Sequence, residues 1–124
     1  MKENPLKYSL TTRFKQRQIL CLLDLRPSDR LLDVGCGIGY LSGLAHSSGA
    51  NVVGIDMSHR ALLHARDRVN GHFAAAGAGK LPFSDNSFDK VIFADVIEHV
   101  PDDSLALSEI VRVAKAGAVI VIST

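Results

Sequence analysis

Residues 31–39 have the sequence LLDVGCGIG, a short apolar run that leads directly into three alternating glycines. The run predicts a buried β-strand, and the residues from Tyr40 onward predict a helix. Glycine permits a tight turn between the two and lets a ligand approach the backbone, because no Cβ stands in the way. The first N–H groups of the helix also have no partners inside the helix. This combination favours a nucleotide-binding turn over a strand-to-helix turn that holds no ligand.

Strands and helices alternate on both sides of this turn. Strands are predicted at residues 30–34, 51–56, 72–75, 90–94 and 118–123, and helices at residues 9–25, 40–48, 58–69 and 101–115, with Gly117 ending the last helix. The strands are continuously apolar, which is typical of strands buried on both faces of a parallel sheet. The prediction is therefore an α/β fold with a Rossmann-like, doubly wound parallel sheet, in which ligands bind at the carboxyl ends of the strands.

Length and composition are those of an ordinary globular protein. The 124 residues suffice for a single domain, 1–124, made of an N-terminal helical segment at 1–27 and a Rossmann-like core at 28–124. A net charge of +1 gives no electrostatic preference for nucleic acid or an anionic membrane. Two cysteines are too few for a disulfide scaffold or a zinc site, and no apolar run is long enough to span a membrane. A cytoplasmic location is therefore expected.

Three features near the glycine turn restrict the choice of ligand. The dinucleotide fingerprint G-x-G-x-x-G fails at its third glycine, where the chain has Tyr40, and no Lys-Ser or Lys-Thr pair follows to make a P-loop. Asp33 would repel a pyrophosphate and suits a cationic group instead. Asp56 ends the second strand, 21 positions after Gly35, and can accept both hydroxyls of a ribose. A ribose, a positive group and no pyrophosphate together describe S-adenosylmethionine (SAM).

Four segments resemble motifs of class I SAM-dependent methyltransferases, in the small-molecule branch that includes the ubiquinone and menaquinone methyltransferases. Residues 31–39 resemble the first motif, and GIDMS at 54–58 is similar to the second. LPFSDNSFD at 81–89 resembles the segment before the fourth strand, and EIVRVAKAG at 109–117 the last helix before the fifth. The resemblance covers residues 28–124. It implies the strand order 3-2-1-4-5, SAM as cofactor, and methyl transfer to a small or lipidic acceptor rather than to nucleic acid.

The resemblance also implies which residues hold the cofactor. Those expected at the methionine part are Gly35, Cys36 and Gly37 through their backbone, Asp33 supporting the ammonium group, and Ala94 and Asp95. Those expected at the nucleoside are Asp56 at the ribose hydroxyls, Met57 on the adenine, and Gly77 and Ala78 at the adenine edge. No catalytic residue and no metal site is assigned. His99 is a candidate general base if the acceptor must lose a proton, and packing at the start of a helix is its alternative role.

The sequence departs from the family pattern at two places. The family usually has Asp at the position of Gly77, so the adenine amino group loses a charged acceptor at a cost of about 1.5–3 kcal/mol. The N–H group of Ala78 can still serve the ring. The chain also stops at the fifth strand, whereas the family has two further strands, 6 and 7. Residues 118–123 would then form an unpaired, β-branched edge, which favours either a longer natural chain or a homodimer through that edge.

Two other functions remain open at this point. One is a non-catalytic or fragmentary module that binds SAM or another nucleotide, which the missing strands and Gly77 favour. The other is half of an NAD-dependent oxidoreductase domain, which the glycine turn and Asp56 favour and the failed third glycine disfavours.

Overall fold

The computed structural model describes residues 5–94 and 96–123, and the predicted site residue Asp95 lies outside this range. The elements are α1 (Pro5–Leu23), β1 (Arg30–Val34), α2 (Tyr40–Ser47), β2 (Asn51–Asp56), α3 (His59–Arg68), β3 (His72–Ala75), β4 (Phe88–Ala94), a short 3-10 helix (Ile97–His99), α4 (Asp103–Val113) and β5 (Ala114–Ser123). The strands form one parallel sheet in the order β3-β2-β1-β4-β5. The predicted fold class and strand order are therefore confirmed.

Both faces of the central strands β1 and β4 are largely buried, as their apolar residues predict, whereas the outer strands β3 and β5 are more exposed. Adjacent residues of β1 serve opposite faces: Leu31 packs with Ile19 and Ala45 from α1 and α2, whereas Leu32 packs with residues of α4. Ile92 of β4 likewise faces the first of these layers. Side chains that alternate across a strand require apolar residues at every position when both faces are covered.

The prediction for the end of α4 is wrong by a few residues. The helix ends at Val113 rather than near Lys115, and β5 begins immediately at Ala114. The N–H groups of Asn86 and Ser87 donate to the carbonyl oxygens of the last two residues of α4, which ends the helix there. Gly117 does not end a helix but lies inside β5, where its φ of +80° accompanies an irregularity in the pairing with β4.

Other boundaries also differ by a few residues. Helix α1 begins at Pro5 and ends at Leu23, so it is shifted toward the N-terminus relative to the predicted 9–25. Strand β4 begins two residues early, because Phe88 is fully buried and pairs with Ala114. The predicted cap of α3 is confirmed, since the Ser58 hydroxyl accepts the N–H of Ala61.

Strand β5 is an edge of the sheet. It pairs with β4 on one side, and over residues 5–94 and 96–123 no strand pairs with its other side. Over the same residues, none of the helices combines the length and the apolarity that crossing a lipid bilayer requires.

Candidate cofactor-binding site

The glycine turn follows β1 at its carboxyl end and is anchored to the neighbouring strand. The N–H groups of Gly35 and Cys36 both donate to the carbonyl oxygen of Ile55, at 2.8 and 3.0 Å. Gly35 has a φ of +74°, and a Cβ there would collide with the side chain of Val96. Glycine is therefore required at this position for two separate reasons.

Gly37 presents an open backbone in the middle of the turn. Its φ is +57°, and a Cβ built on it would meet no atom within 4 Å. Packing therefore does not explain the glycine, whereas its backbone conformation does. The open space beside it leaves room for a ligand to lie directly against the main chain.

Asp56 at the end of β2 joins the turn to the start of α3. One carboxylate oxygen, Oδ2, accepts the N–H of Gly37 at 2.9 Å, and Oδ1 accepts the N–H of Ser58 at 2.9 Å. Both oxygens are thus fixed in position by the backbone. Because each carboxylate oxygen can accept a second hydrogen bond, the pair can still receive two hydroxyl groups.

Asp33 is a charged group inside the core. Its side chain is 3% exposed, and Oδ2 accepts a hydrogen bond from the Ser42 hydroxyl at 2.7 Å. Burial raises the pKa of Asp33 from 3.8 to about 6, the Ser42 hydrogen bond acts in the opposite direction, and the negative charge of Asp56 adds a smaller upward contribution. A nearby cation would therefore stabilise the ionised form.

A cavity of about 540 Å³ lies at the carboxyl ends of the strands. Its lining residues are Val34, Gly35, Asp56, Met57, Ala76, Gly77, Ala78, Gly79, Val96, His99, Val100, Pro101, Asp102 and Leu105. This volume is typical of a site for a small molecule. Of the residues predicted to hold the cofactor, the cavity brings together Gly35, Asp56, Met57, Gly77 and Ala78, and their individual roles remain predictions.

The other predicted residues do not line this cavity. They are Asp33, Cys36, Gly37 and Ala94. The side chain of Cys36 is buried against Leu62 of α3 and Phe73 of β3, and burial raises the pKa of its thiol to about 12. The thiol therefore remains protonated at neutral pH, and the backbone role of Cys36 stays a prediction. Ala94 packs with the layer formed by α1 and α2.

One wall of the cavity extends beyond the residues that the sequence predicts at this edge of the sheet. It follows β4 and consists of Val96, Val100, Pro101, Asp102 and Leu105, together with His99, which had been singled out for a different reason. The signal that could have found this wall is positional, because these residues come directly after the carboxyl end of a central strand.

The segment after β3 offers the ligand no side-chain hydrogen bond. It comprises residues 76–79, which are all alanine or glycine. A Cβ built on Gly77 would meet only Sδ of Met57, at 3.7 Å, so a larger residue would fit there. The side chain of Met57 is 79% exposed at the edge of the cavity, where it can cover a flat ligand.

The segment that resembles the family motif before the fourth strand is held by α4. The guanidinium group of Arg112 donates to the carbonyl oxygens of Leu81 and Phe83, at 3.0 and 2.8 Å, and to the Asp85 carboxylate at 2.9 Å. It also pairs with Glu109, whose Oε1 accepts the N–H of Leu81 at 2.8 Å. These residues therefore position a connection of the fold and do not line the cavity.

Comparison with known proteins identifies the family. A model of the methyltransferase domain matches residues 32–122, which is most of the chain. The chain belongs to this family. The matched range contains the glycine turn, Asp56 and all the residues that line the cavity.

Similar proteins include methyltransferases and a protein of the same fold. The ubiquinone biosynthesis O-methyltransferase of Hahella chejuensis is 39% identical over 104 residues, which are 79% of this chain and 44% of that protein. The PH0226 protein of Pyrococcus horikoshii has a TM-score of 0.84 at 30% identity, over 98% of this chain and 60% of the other. A SAM-dependent methyltransferase of Thermotoga maritima has a TM-score of 0.74 at 27% identity, over 94% and 54% of the two chains. The chain spans about a third to a half of the length of its curated relatives.

These findings give SAM as the cofactor of the methyltransferase domain, and the residues present fit it. The open backbone at Gly37 can receive the amino-acid part, and the fixed carboxylate of Asp56 can receive a ribose diol. The cavity beyond Asp56 is lined mainly by apolar groups, which suits a purine ring. The predicted recognition, enzyme class and cofactor are therefore confirmed at the level of the family.

Proposed function

We propose that this protein transfers the methyl group of SAM to a small apolar acceptor, and that the site described above holds the SAM. The observation that carries the proposal is the link between the glycine turn and Asp56. A hydrogen bond from Gly37 to the Asp56 carboxylate places an open backbone beside a fixed pair of acceptors, at the edge of a 540 Å³ cavity. The family membership of the chain supports the same reading.

Each end of the cofactor has a suitable group in the domain. The ribose hydroxyls donate to Asp56, which the N–H groups of Gly37 and Ser58 hold in place before the ligand arrives. A group already in position loses little conformational entropy on binding. The carboxylate of Asp33 favours the cationic amino-acid end, because a positive charge offsets the cost of keeping this acid ionised inside the core.

SAM supplies an electrophilic methyl group on a sulfonium, and the protein aligns the acceptor and excludes water. Val96, Val100 and Leu105 form an apolar wall on the side of the cavity that follows β4. His99 lies in the same wall, so its imidazole is in a position to take a proton from a hydroxyl acceptor. No such base is required for an acceptor that is already a good nucleophile.

The chemical class of the acceptor is inferred from the wall and from the relatives. The wall after β4 is mostly apolar, and the net charge of +1 gives the chain as a whole no electrostatic preference for nucleic acid. Two relatives are named for ubiquinone biosynthesis and for demethylmenaquinone, and both names refer to quinone compounds. A phenolic or quinol acceptor is therefore the first class to test.

Calorimetry on the 124-residue chain tests the binding step. We expect S-adenosylhomocysteine and SAM to bind, NAD not to bind, and Asp56→Asn to weaken both ligands by about 1.5–3 kcal/mol, since the diol loses a charged acceptor. Asp67→Asn, on the exposed surface of α3, is the matched control and should leave affinity unchanged. Folded protein that gives no heat with millimolar S-adenosylhomocysteine would contradict the proposal.

Transfer is tested separately, with methyl-labelled SAM and a panel of phenols and demethylated quinols. Label recovered in the acceptor supports an enzyme. Binding without transfer to any of them would support the alternative of a non-catalytic SAM-binding module.

We also propose that two copies of the chain associate through β5, whose outer edge carries Val119, Ile120 and Val121 in an extended conformation. Unpaired backbone groups on an apolar strand favour pairing with another strand. The cytoplasmic location and the single domain remain predictions.

A further inference from the structure

Two polar side chains are buried next to each other between β1 and α2. Asp33 is 3% exposed near the end of β1, and Ser42 is fully buried in the first turn of α2. The Ser42 hydroxyl donates to Oδ2 of Asp33 at 2.7 Å. Within the described residues these are the two buried polar side chains, so the pair is an exception to an otherwise apolar core.

The Asp33 carboxylate keeps one oxygen for a donor from outside the protein. Over residues 5–94 and 96–123, its hydrogen-bond donor is the Ser42 hydroxyl, which occupies Oδ2. Oδ1 has no protein donor over the same residues, yet it is not sealed in the core, since the one enclosed side-chain oxygen without a partner there is Oγ of Ser123. Oδ1 of Asp33 therefore reaches the surface of the protein, although the rest of the side chain is enclosed.

The surroundings of Asp33 lie in and beside the glycine turn. Val34 and Gly35, which follow it directly, line the cavity. Burial and, after it, the charge of Asp33 raise the pKa of the Cys36 thiol in the turn. Within the described residues the charged group that acts on Asp33 is Asp56, which is also negative. The turn thus lies between two carboxylates, and a cationic group of a ligand is the partner that would offset their charge.

We propose that Ser42 is a positioning residue for the amino-acid end of SAM: its hydroxyl keeps the Asp33 carboxylate ionised and oriented, so that Oδ1 receives the ammonium group. This inference rests on the proposed function, because it assumes that SAM lies against the glycine turn. Ser42 is fully buried and acts through Asp33 without touching the ligand. A hydroxyl that donates to a carboxylate stabilises its charged form, whereas burial opposes that form. Without the hydroxyl, Asp33 is protonated more readily and the ammonium group loses its charged partner.

Calorimetry on the full chain with two ligands isolates this effect. S-adenosylhomocysteine carries the ammonium group, whereas methylthioadenosine has the same nucleoside and no amino-acid part. We expect the wild type at pH 7 to prefer S-adenosylhomocysteine by about tenfold or more, as for a hydrogen bond between charged groups. In Ser42→Ala this preference should fall by about fivefold, because the carboxylate loses its hydrogen bond. Ser42→Thr keeps the hydroxyl and should restore the preference.

The pH profile of binding gives a second readout. The pKa of Asp33 is about 6, so the wild-type affinity for S-adenosylhomocysteine should rise as the pH increases through this value, whereas the affinity for methylthioadenosine should not follow. Ser42→Ala should move the midpoint of the rise to higher pH, because the hydrogen bond that it removes lowers the pKa of Asp33. In an Asp33→Asn background, Ser42→Ala should have no further effect on the ligand preference.

Ser47→Ala is the matched control on the same helix. The Ser47 hydroxyl is exposed and donates to the carbonyl oxygen of Gly43 at 3.0 Å, so both the preference and the midpoint should stay at their wild-type values. If Ser42→Ala does not fold, Ser42→Cys replaces it, because a thiol fills the site with a weaker donor and should lower the preference in the same direction.

The outcomes separate the role of Ser42 from the binding of SAM. A wild type that binds both ligands equally, an unchanged preference in Ser42→Ala or Ser42→Cys, or an equal loss of affinity for both ligands would overturn the role of Ser42 while the proposed function stands. A preference that falls as far in Ser47→Ala would overturn it too, since the effect would then belong to α2 as a whole. If the folded wild type binds neither ligand, the proposed function fails, and the role of Ser42 fails with it.

Discussion

Replacing Asp33 with Asn should stabilise the protein without its ligand at neutral pH. The side chain is 3% exposed, and burial raises its pKa from 3.8 to about 6. At about 1.4 kcal/mol for each tenfold change in proton affinity, this rise in pKa corresponds to a loss of about 3 kcal/mol in the free energy of unfolding at neutral pH. Asn carries no charge, and its oxygen can still accept the hydrogen bond from Ser42 that Asp33 accepts at 2.7 Å.

The pH dependence follows from the direction of the shift. An acid whose pKa is raised by folding contributes stability that is fully present below 3.8 and is lost as the pH rises through about 6. At pH 7 we therefore expect the free energy of unfolding of Asp33→Asn to exceed that of the wild type by about 3 kcal/mol. At pH 4 the two free energies should differ by less than about 1 kcal/mol.

Urea unfolding at pH 4, 5, 6 and 7, without ligand, measures this difference. Asp67→Asn is the control for loss of one negative charge at the surface, and it should stay within about 0.5 kcal/mol of the wild type throughout. If Asp33→Asn is no more stable than the wild type at pH 7, Asp33 is not a desolvated charge and the reasoning fails. Binding should change in the opposite direction, with weaker affinity of Asp33→Asn for SAM, because the cationic ligand then lacks its carboxylate.

Two further substitutions test the adenine edge and the sheet edge. Gly77→Asp should bind S-adenosylhomocysteine about 1–2 kcal/mol more tightly, because the site of the new Cβ is open except for Met57; equal or weaker affinity in calorimetry would show that residue 77 does not face the base. Light scattering should give the mass of a dimer for the wild type and of a monomer for Ile122→Lys, since Ile122 is 43% exposed on β5 and a lysine on an edge strand blocks pairing. A wild type that is monomeric at high micromolar concentration would exclude the dimer.

The sheet could be predicted from the sequence because a strand that is buried on both faces consists mainly of consecutive apolar residues. The central strands had to be apolar at most positions, and Leu31 and Leu32 show why, since they face opposite layers of the core. The end of α4 could not be located in this way. Its last carbonyl groups are taken by the N–H groups of Asn86 and Ser87, which lie far away in sequence. Gly117, a common helix terminator, is instead needed inside β5 for its positive φ.

The candidate site was predictable only where the residues follow one another along the chain. The glycine turn and Asp56 stand at fixed offsets from their strands, and local sequence is enough to find them. The wall that contains Val96 and Asp102 directly follows β4, so its position could be inferred, but which of its side chains line the cavity depends on how α4 returns to the sheet. Cys36 lies within the turn, but its side chain packs under α3 because Gly54 leaves room for it, with the sulfur 2.9 Å from where a Cβ of Gly54 would be.

The contacts of Arg112 have a consequence for the order in which the chain folds. Residues 81–87 contain no helix or strand, and the carbonyl oxygens of Leu81 and Phe83 bond a side chain about thirty positions later. Local interactions alone therefore cannot fix this connection, and closing so long a loop costs entropy before any contact is gained. We therefore expect the connection to become ordered when α4 docks on the sheet. The same docking would bring Asp102 and Leu105 to the cavity.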